Sequence, residues 1–302
     1  MTRQIRLFIQ LTRPLFLLGG VLVYALGVGI ARYLGAQIDW GLYILGQVYV
    51  TTMQLAAQLL NEYFDSPADQ ENSNRTPFSG GSGAVGEGKL SRDFVMWAAL
   101  TTLTILASLS VVMLNVTNIS PLLVTIIGIA FIGSFFYSAP PVRLSNSGYG
   151  ELTTSILVAN IVPIFAFVLQ TGELHRLLIM STFPLTALHL AMMIVFEFPD
   201  YINDIKFDKF TLLVRVGWER GMILHNILIL TAFFLLGLAA MFGLPLAIVM
   251  PAFIALPIGL LQIWQMRRIA GGGKPNWTTM GFTAVVLLGS VAYLLAFTFW
   301  TR

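Results

Sequence analysis

This chain of 302 residues is expected to form an all-α, polytopic membrane protein, with nine helices bundled around a central cavity in one domain covering 1–302. Three observations carry that expectation. Hydrophobic residues make up 57% of the chain and charged residues only 10%, where soluble domains carry about 25% charged residues. The apolar residues fall into nine runs, each near the roughly 20 residues that cross a bilayer as a helix. The few acids gather in two clusters at the ends of apolar runs, at 61–69 and 200–208.

The runs follow in order. The first, 14–36, comes after a polar, basic segment holding Arg3, Arg6 and Arg13. No small-residue cleavage site follows it, so a cleavable signal peptide is not expected. The second, 40–62, leads into the first acidic cluster. Pro67 is expected to disturb the helix there and to leave Asp69 in the following loop. The third to sixth are 93–114, 119–138, 151–171 and 177–199. Pro199 closes the last of these and is expected to kink or restart the helix. The stretch 221–266 is almost continuously apolar. Gly243-Leu244-Pro245 marks a turn that divides it into 221–242 and 245–266. The ninth run is 278–300.

Charge tests the count. With a cytoplasmic N-terminus, nine spans leave three of the 17 Lys and Arg (Arg32, Arg176 and Arg302) outside and the other 14 inside, as the positive-inside rule requires. The C-terminus then lies outside. Only Asp39 and Glu173 of the 14 acids fall on the outer side. The rule does not govern acids, so their inward excess asks for another cause, and a cation site on the cytoplasmic face supplies one.

Asn61, Asp65 and Asp69 are spaced four apart, and so are Asp200, Asp204 and Asp208. On a helix that spacing drifts by only about 40° per step, so each set shares a face. Carboxylates at a membrane boundary are costly unless positive charge pairs with them. Two such sets facing one cavity suit Mg²⁺, a hard cation that takes one or two carboxylates and completes its shell with water and phosphate oxygens. The metal ligands expected are Asn61, Asp65, Asp69, Asp200 and Asp204. The flanking Arg75, Arg143, Lys206, Lys209 and Arg215 are expected to complete a diphosphate clamp. Glu197, one turn before Asp200, could extend the acid set or pair with a base.

Other features set limits. With no cysteine, disulfides and thiolate sites are excluded, and three scattered histidines (His175, His189 and His225) argue against a histidine-built metal centre. The run Ser79-Gly80-Gly81-Ser82-Gly83 lacks the Gly-Lys-Ser/Thr of a Walker loop and is expected to be a flexible loop. A net charge of +3 gives no reason to expect a nucleic-acid partner. Tyr63, Phe64, Tyr137 and Phe196 lie near the acids and could stabilise a carbocation, although packing explains each as well. A cation-coupled transporter is the rival reading. Such proteins place their ion site near the bilayer midplane between inverted repeats, whereas these acids sit at span ends and no inverted repeat is visible.

These residues resemble the UbiA superfamily of intramembrane prenyltransferases. Asn61, Glu62, Asp65 and Asp69 with Arg75-Thr76-Pro77 match its first motif. Asp200, Asp204, Lys209 and Thr211-Leu212-Leu213-Val214-Arg215-Val216-Gly217 match its second. Tyr137-Ser138-Ala139-Pro140-Pro141 with Arg143, and Leu11-Thr12-Arg13-Pro14, are also similar to family elements. Glu62 replaces the commoner Asp, Asp208 the usual Gly, and Phe210 a frequent basic residue. Gly148-Tyr149-Gly150-Glu151-Leu152 and Leu169-Gln170-Thr171-Gly172 look most like the branch that prenylates 1,4-dihydroxy-2-naphthoate. The resemblance implies Mg²⁺-dependent transfer of a polyprenyl group from its diphosphate to an aromatic acceptor in menaquinone synthesis. It implies a prokaryotic inner membrane and a site on the cytoplasmic side. Asp65, Asp69, Asp200 and Asp204 would be catalytic, and Asn61, Arg75, Tyr137, Arg143, Lys206, Lys209 and Arg215 would bind substrate. Other acceptors of the family are 4-hydroxybenzoate, homogentisate, chlorophyllide, haem and glycerol-phosphate lipids.

Overall fold

The computed structural model describes residues 2–117 and 120–302. Among them no strand forms, and eleven helices are named here. A short amphipathic helix, α1 (Thr2–Leu11), precedes α2 (Pro14–Tyr33), α3 (Trp40–Glu71), α4 (Arg92–Val116) and α5 (Pro121–Ser138). Then come α6 (Gly150–Thr171), α7 (Arg176–Lys206), the single turn α8 (Leu212–Val216), α9 (Trp218–Met241), α10 (Leu246–Ala270) and α11 (Trp277–Thr301). The expected start of the fourth span, residue 119, lies outside the described residues.

Eight of these helices are long and apolar enough to cross a membrane. The expected second span is α3. It has 32 residues, a length of about 48 Å at 1.5 Å per residue, but it carries Gln47, Gln54, Gln58 and Asn61 along its length. Gln54, Gln58 and Asn61 turn into the cavity described below, which is why the helix is less apolar than its neighbours. The turn expected at Gly243-Leu244-Pro245 separates α9 from α10, with Gly243 at a φ of 103°. Exposed apolar side chains are spread around the bundle, including Trp97 (69%), Phe234 (67%) and Met241 (83%). In water such a surface would aggregate; against lipid tails it is the favourable one.

Pro67 does not end α3. A proline cannot donate to the carbonyl four residues back, here that of Tyr63. Arg92 Nε, at the start of α4, donates to that oxygen at 3.1 Å and lays its guanidinium over the Tyr63 ring, 4.3 Å from the centroid. The orphaned carbonyl is satisfied from outside, so the helix continues to Glu71 and Asp69 stays on it. Pro199 acts as expected: α7 tightens to a 3₁₀ turn at Phe198–Asp200 before resuming at Tyr201. Phe198 fixes that turn by stacking on Trp277 at 5.2 Å and meeting Trp218 edge-on at 4.8 Å.

The centre of the bundle is built where α2 meets α6 and α11. Without a water-driven force between helices, close backbone approach through small residues holds membrane bundles together. At Gly27 a Cβ would lie 2.1 Å from the carbonyl oxygen of Pro163 on α6, so only glycine fits. At the same end of α2, Trp300 Nε1 of α11 donates to the Ala25 carbonyl at 2.8 Å. Inserting a methyl group at Gly27 must push α2 off α6. Gly27→Ala is therefore expected to destabilise the fold by about 1–3 kcal/mol, read as a lowered melting temperature of the detergent-solubilised protein.

Candidate active site

The polar end of α3 places Asn61, Asp65 and Asp69 on one face, as their spacing predicts. Asp65 is buried, and its Oδ2 accepts from Asn61 Nδ2 at 2.9 Å and from Lys209 Nζ at 2.9 Å. Arg143 Nη2 stands 3.9 Å from its other oxygen. Lys209 comes from the loop after α7, so one ion pair ties together segments 144 residues apart. Burial alone would lower the Lys209 ammonium, but the charges of Asp65, Asp204 and Asp69 outweigh it and hold Lys209 well above the usual lysine range.

Asp69 lies beyond the apolar part of α3. Burial, reinforced by the Asp65 carboxylate and partly offset by Lys209, pushes its carboxyl up to about 7. Its Oδ2 rests against Gly81, where a Cβ would come within 2.3 Å. Gly81 also has a φ of 71°, so the backbone there needs glycine twice over.

The glycine-rich run is a packed loop, not the free one expected. Gly80 N–H donates to Asp200 Oδ2 at 2.8 Å, and Asn72 Nδ2 donates to Asp200 Oδ1 at 2.7 Å. Ser82 donates through both its N–H and its hydroxyl to the Glu62 carboxylate, each at 2.6 Å. Glu62 also pairs with Arg13 at 3.4 Å. Arg75 donates to the carbonyls of Asp69 and Gly80, locking the loop to the end of α3. Glu62 and Asp200 thus hold donors from this segment, while Asp204 is buried and contributes its backbone carbonyl to the Lys209 N–H at 2.9 Å.

All five expected metal ligands line one cavity of about 520 Å³. Tyr137, Phe196 and Lys209 line it too, together with Phe16, Tyr49, Phe78 and Phe165. Away from the acids the walls turn apolar, with Leu18, Leu22, Val285 and Leu288. Tyr63 and Phe64 do not reach the cavity; they pack with Leu59 and Leu60 on the other side of α3. Arg75, Arg143, Lys206 and Arg215 lie outside the cavity lining. Lys206 is exposed and pairs with Glu71, and Arg215 is exposed with its guanidinium 5.7 Å from the Tyr149 ring. Asp208 is exposed with a φ of 52°. This left-handed backbone is one that Asp tolerates and glycine favours. Phe210 is exposed as well.

Three cavity residues escaped the spacing argument. Arg13 sits at the head of α2, with Nη2 buried and without a hydrogen-bond partner; an arginine directly before the first proline of a span was its only signal. Glu151 opens an apolar run and faces inward. His189 lies in the middle of α7. The donors available to a metal are oxygen atoms from Asp and Asn, which suits a hard cation. Among the described residues no three Asp, Glu or His groups form a ready cage. A cation held here must draw further oxygens from water or a phosphate, the habit of Mg²⁺.

Residues 21–286 match the UbiA prenyltransferase family. A 1,4-dihydroxy-2-naphthoate octaprenyltransferase of Mycobacterium tuberculosis (strain ATCC 25618 / H37Rv) is 24% identical over 289 residues, covering 94% of this chain and 95% of that protein. One of the same name from Bacillus subtilis (strain 168) is 23% identical over 215 residues, covering 71% and 67%. Among solved structures, a UbiA homolog from Archaeoglobus fulgidus bound to GPP and Mg²⁺ shares the fold. Its TM-score is 0.66 at 16% identity, with 98% of this chain and 100% of that one covered. A digeranylgeranylglyceryl phosphate synthase structure gives a TM-score of 0.63 at 17% identity, covering 99% and 97%. The matched segment contains both acidic helix ends and most of the cavity between them, and this chain belongs to the UbiA prenyltransferase family.

Proposed function

We propose that this prenyltransferase carries out Mg²⁺-dependent transfer of a polyprenyl group from its diphosphate to a hydroxylated aromatic ring, 1,4-dihydroxy-2-naphthoate in menaquinone synthesis. The observation that carries this reading is the single cavity that is acidic and cationic at one end and apolar at the other. The two curated relatives named for that acceptor support the choice of ring. We further read α3 as a membrane span as well, which brings the count to nine, with the N-terminus and the polar end of the cavity on the cytoplasmic side of a prokaryotic inner membrane.

Asn61, Asp65, Asp69, Asp200 and Asp204 would hold the metal. Bound there, Mg²⁺ would neutralise the diphosphate and stabilise it as a leaving group. Lys209, Arg143 and Arg13, whose Nη2 has no hydrogen-bond partner, supply positive charge, and diphosphate takes over the contacts that Asp65 now makes. Arg75 acts through the glycine-rich loop that it fastens. Lys206 and Arg215, exposed and engaged elsewhere, support the loops around the site. The apolar walls receive the prenyl chain. Tyr137 and Phe196 face the position where an allylic cation would form, and the walls keep out water that would quench it.

In liposomes supplied with Mg²⁺, a prenyl diphosphate and 1,4-dihydroxy-2-naphthoate, pyrophosphate release coupled to a prenylated naphthalenediol and loss of CO₂ is expected. Product from 4-hydroxybenzoate or homogentisate in its place would redirect the acceptor assignment. Asp65→Ala and Asp204→Ala are each expected to lower the rate by about 100-fold or more, and full activity in either would refute the metal-ligand roles. Chelation with EDTA should abolish turnover and added Mg²⁺ restore it; activity that survives chelation would exclude a metal requirement.

A further inference from the structure

Glu151, Glu197 and His189 line the same cavity and take no part in the diphosphate site described above. All three are buried, Glu151 to 3% exposure. Glu197 Oε2 accepts the Leu213 N–H at 2.9 Å. The carboxyl groups of Glu151 and Glu197 lie beside each other. Glu151 Oε2 is buried and has no hydrogen-bond partner. An orphaned carboxyl oxygen in a site of this kind is expensive unless a ligand satisfies it.

His189 adds a second acceptor. Ser155 donates its only proton to the Glu151 carbonyl at 2.7 Å. Its oxygen, 3.0 Å from His189 Nδ1, must therefore accept from that nitrogen. The neutral ring then carries its proton on Nδ1 and a lone pair on Nε2. This wall presents hydrogen-bond acceptors, while Lys209 and Arg13 stand with Asp65 and Glu62. A diphosphate or a prenyl chain brings no proton to donate. A phenolic hydroxyl does.

We propose that Glu151, backed by Glu197 and His189, receives a hydroxyl group of the acceptor ring and takes its proton as the new bond forms; this rests on the prenyl-transfer reading. The bond between the allylic carbon and the diphosphate oxygen breaks, and the diphosphate leaves with that electron pair. A ring carbon bonds to the allylic carbon. The hydroxyl O–H bond breaks, its proton passes to Glu151 Oε2, and its electrons close a ring C=O. The carboxylate on the attacked carbon then leaves as CO₂, its bonding pair returns to the ring, and the oxygen takes its proton back to restore the aromatic diol. No oxidant or reductant is needed.

The test uses the full-length protein in liposomes with Mg²⁺, geranyl diphosphate and 1,4-dihydroxy-2-naphthoate. Glu151→Gln keeps the shape but loses the base. It is expected to lower kcat by about 100-fold while KM for geranyl diphosphate stays within twofold, and Glu151→Asp should restore part of the rate. A merely structural residue would move both KM values and kcat together, and that outcome overturns the proposal. A second measurement needs no variant. Dicyclohexylcarbodiimide, which attacks proton-bearing carboxyls in apolar sites, should label Glu151 or Glu197 in the wild type, as mapped by mass spectrometry. The naphthoate should protect the label site, and geranyl diphosphate alone should not. Absence of label, or protection by the diphosphate alone, overturns the assignment. A wild type that prenylates no ring sinks the prenyl-transfer reading itself; an active wild type matched by Glu151→Gln sinks only the role of Glu151.

Discussion

Charge inside an apolar body must be paired, and the contact between Asp65 and Lys209 is where this protein meets that demand. An isolated ammonium buried in the loop after α7 would be driven to lose its proton. Facing the Asp65 carboxylate, it stays charged. Because the partners are far apart in sequence, the same contact brings the second acidic cluster over the first. Asn203 Nδ2, bonded to the Ala68 carbonyl at 3.0 Å, and Asn72, bonded to Asp200, extend this seam. The cavity is the space that the seam encloses.

The glycine-rich loop is part of the same electrostatic solution. Its amides and the Ser82 hydroxyl are donors, and Glu62 and Asp200 are the acceptors they reach. Arg75 would be a poor phosphate ligand in this arrangement because its donors already hold backbone carbonyls. Its service to the site is indirect but real: it keeps the loop against Asp69, where only glycine at position 81 leaves room. Polar groups in a membrane protein are thus divided between those that satisfy one another and those left buried without a partner. Arg13 Nη2 and Glu151 Oε2 are of the second kind, one a donor and one an acceptor. Their opposite chemistry divides the cavity between an anionic substrate and a hydrogen-donating one.

Much of this was legible in the chain. The apolar runs located the membrane helices to within a few residues, since a span must satisfy its own backbone and the length of a bilayer fixes its size. The i, i+4 spacing gave the shared face of Asn61, Asp65 and Asp69. Where the expectation differed, a distant partner was the cause. Pro67 reads locally as a breaker, and only the guanidinium of Arg92, from the next helix, satisfies the carbonyl it orphans. Tyr63 and Phe64 adjoin the acids in sequence but point away from them, because helical neighbours are about 100° apart. Lys206 and Lys209 looked equivalent, yet one is exposed beside Glu71 and the other reaches into the cavity.

By itself the sequence determined the membrane class, most of the helix boundaries and the placement of acids at helix ends, because hydropathy and periodicity are local properties. Only the tertiary structure decided which of the basic residues meet those acids, that the glycine-rich loop is fastened rather than free, and that Arg13, Glu151 and His189 share the cavity. Those outcomes depend on pairing between helices remote in the chain, where burial leaves a polar atom either matched or waiting for a ligand, and no window of neighbouring residues carries that information.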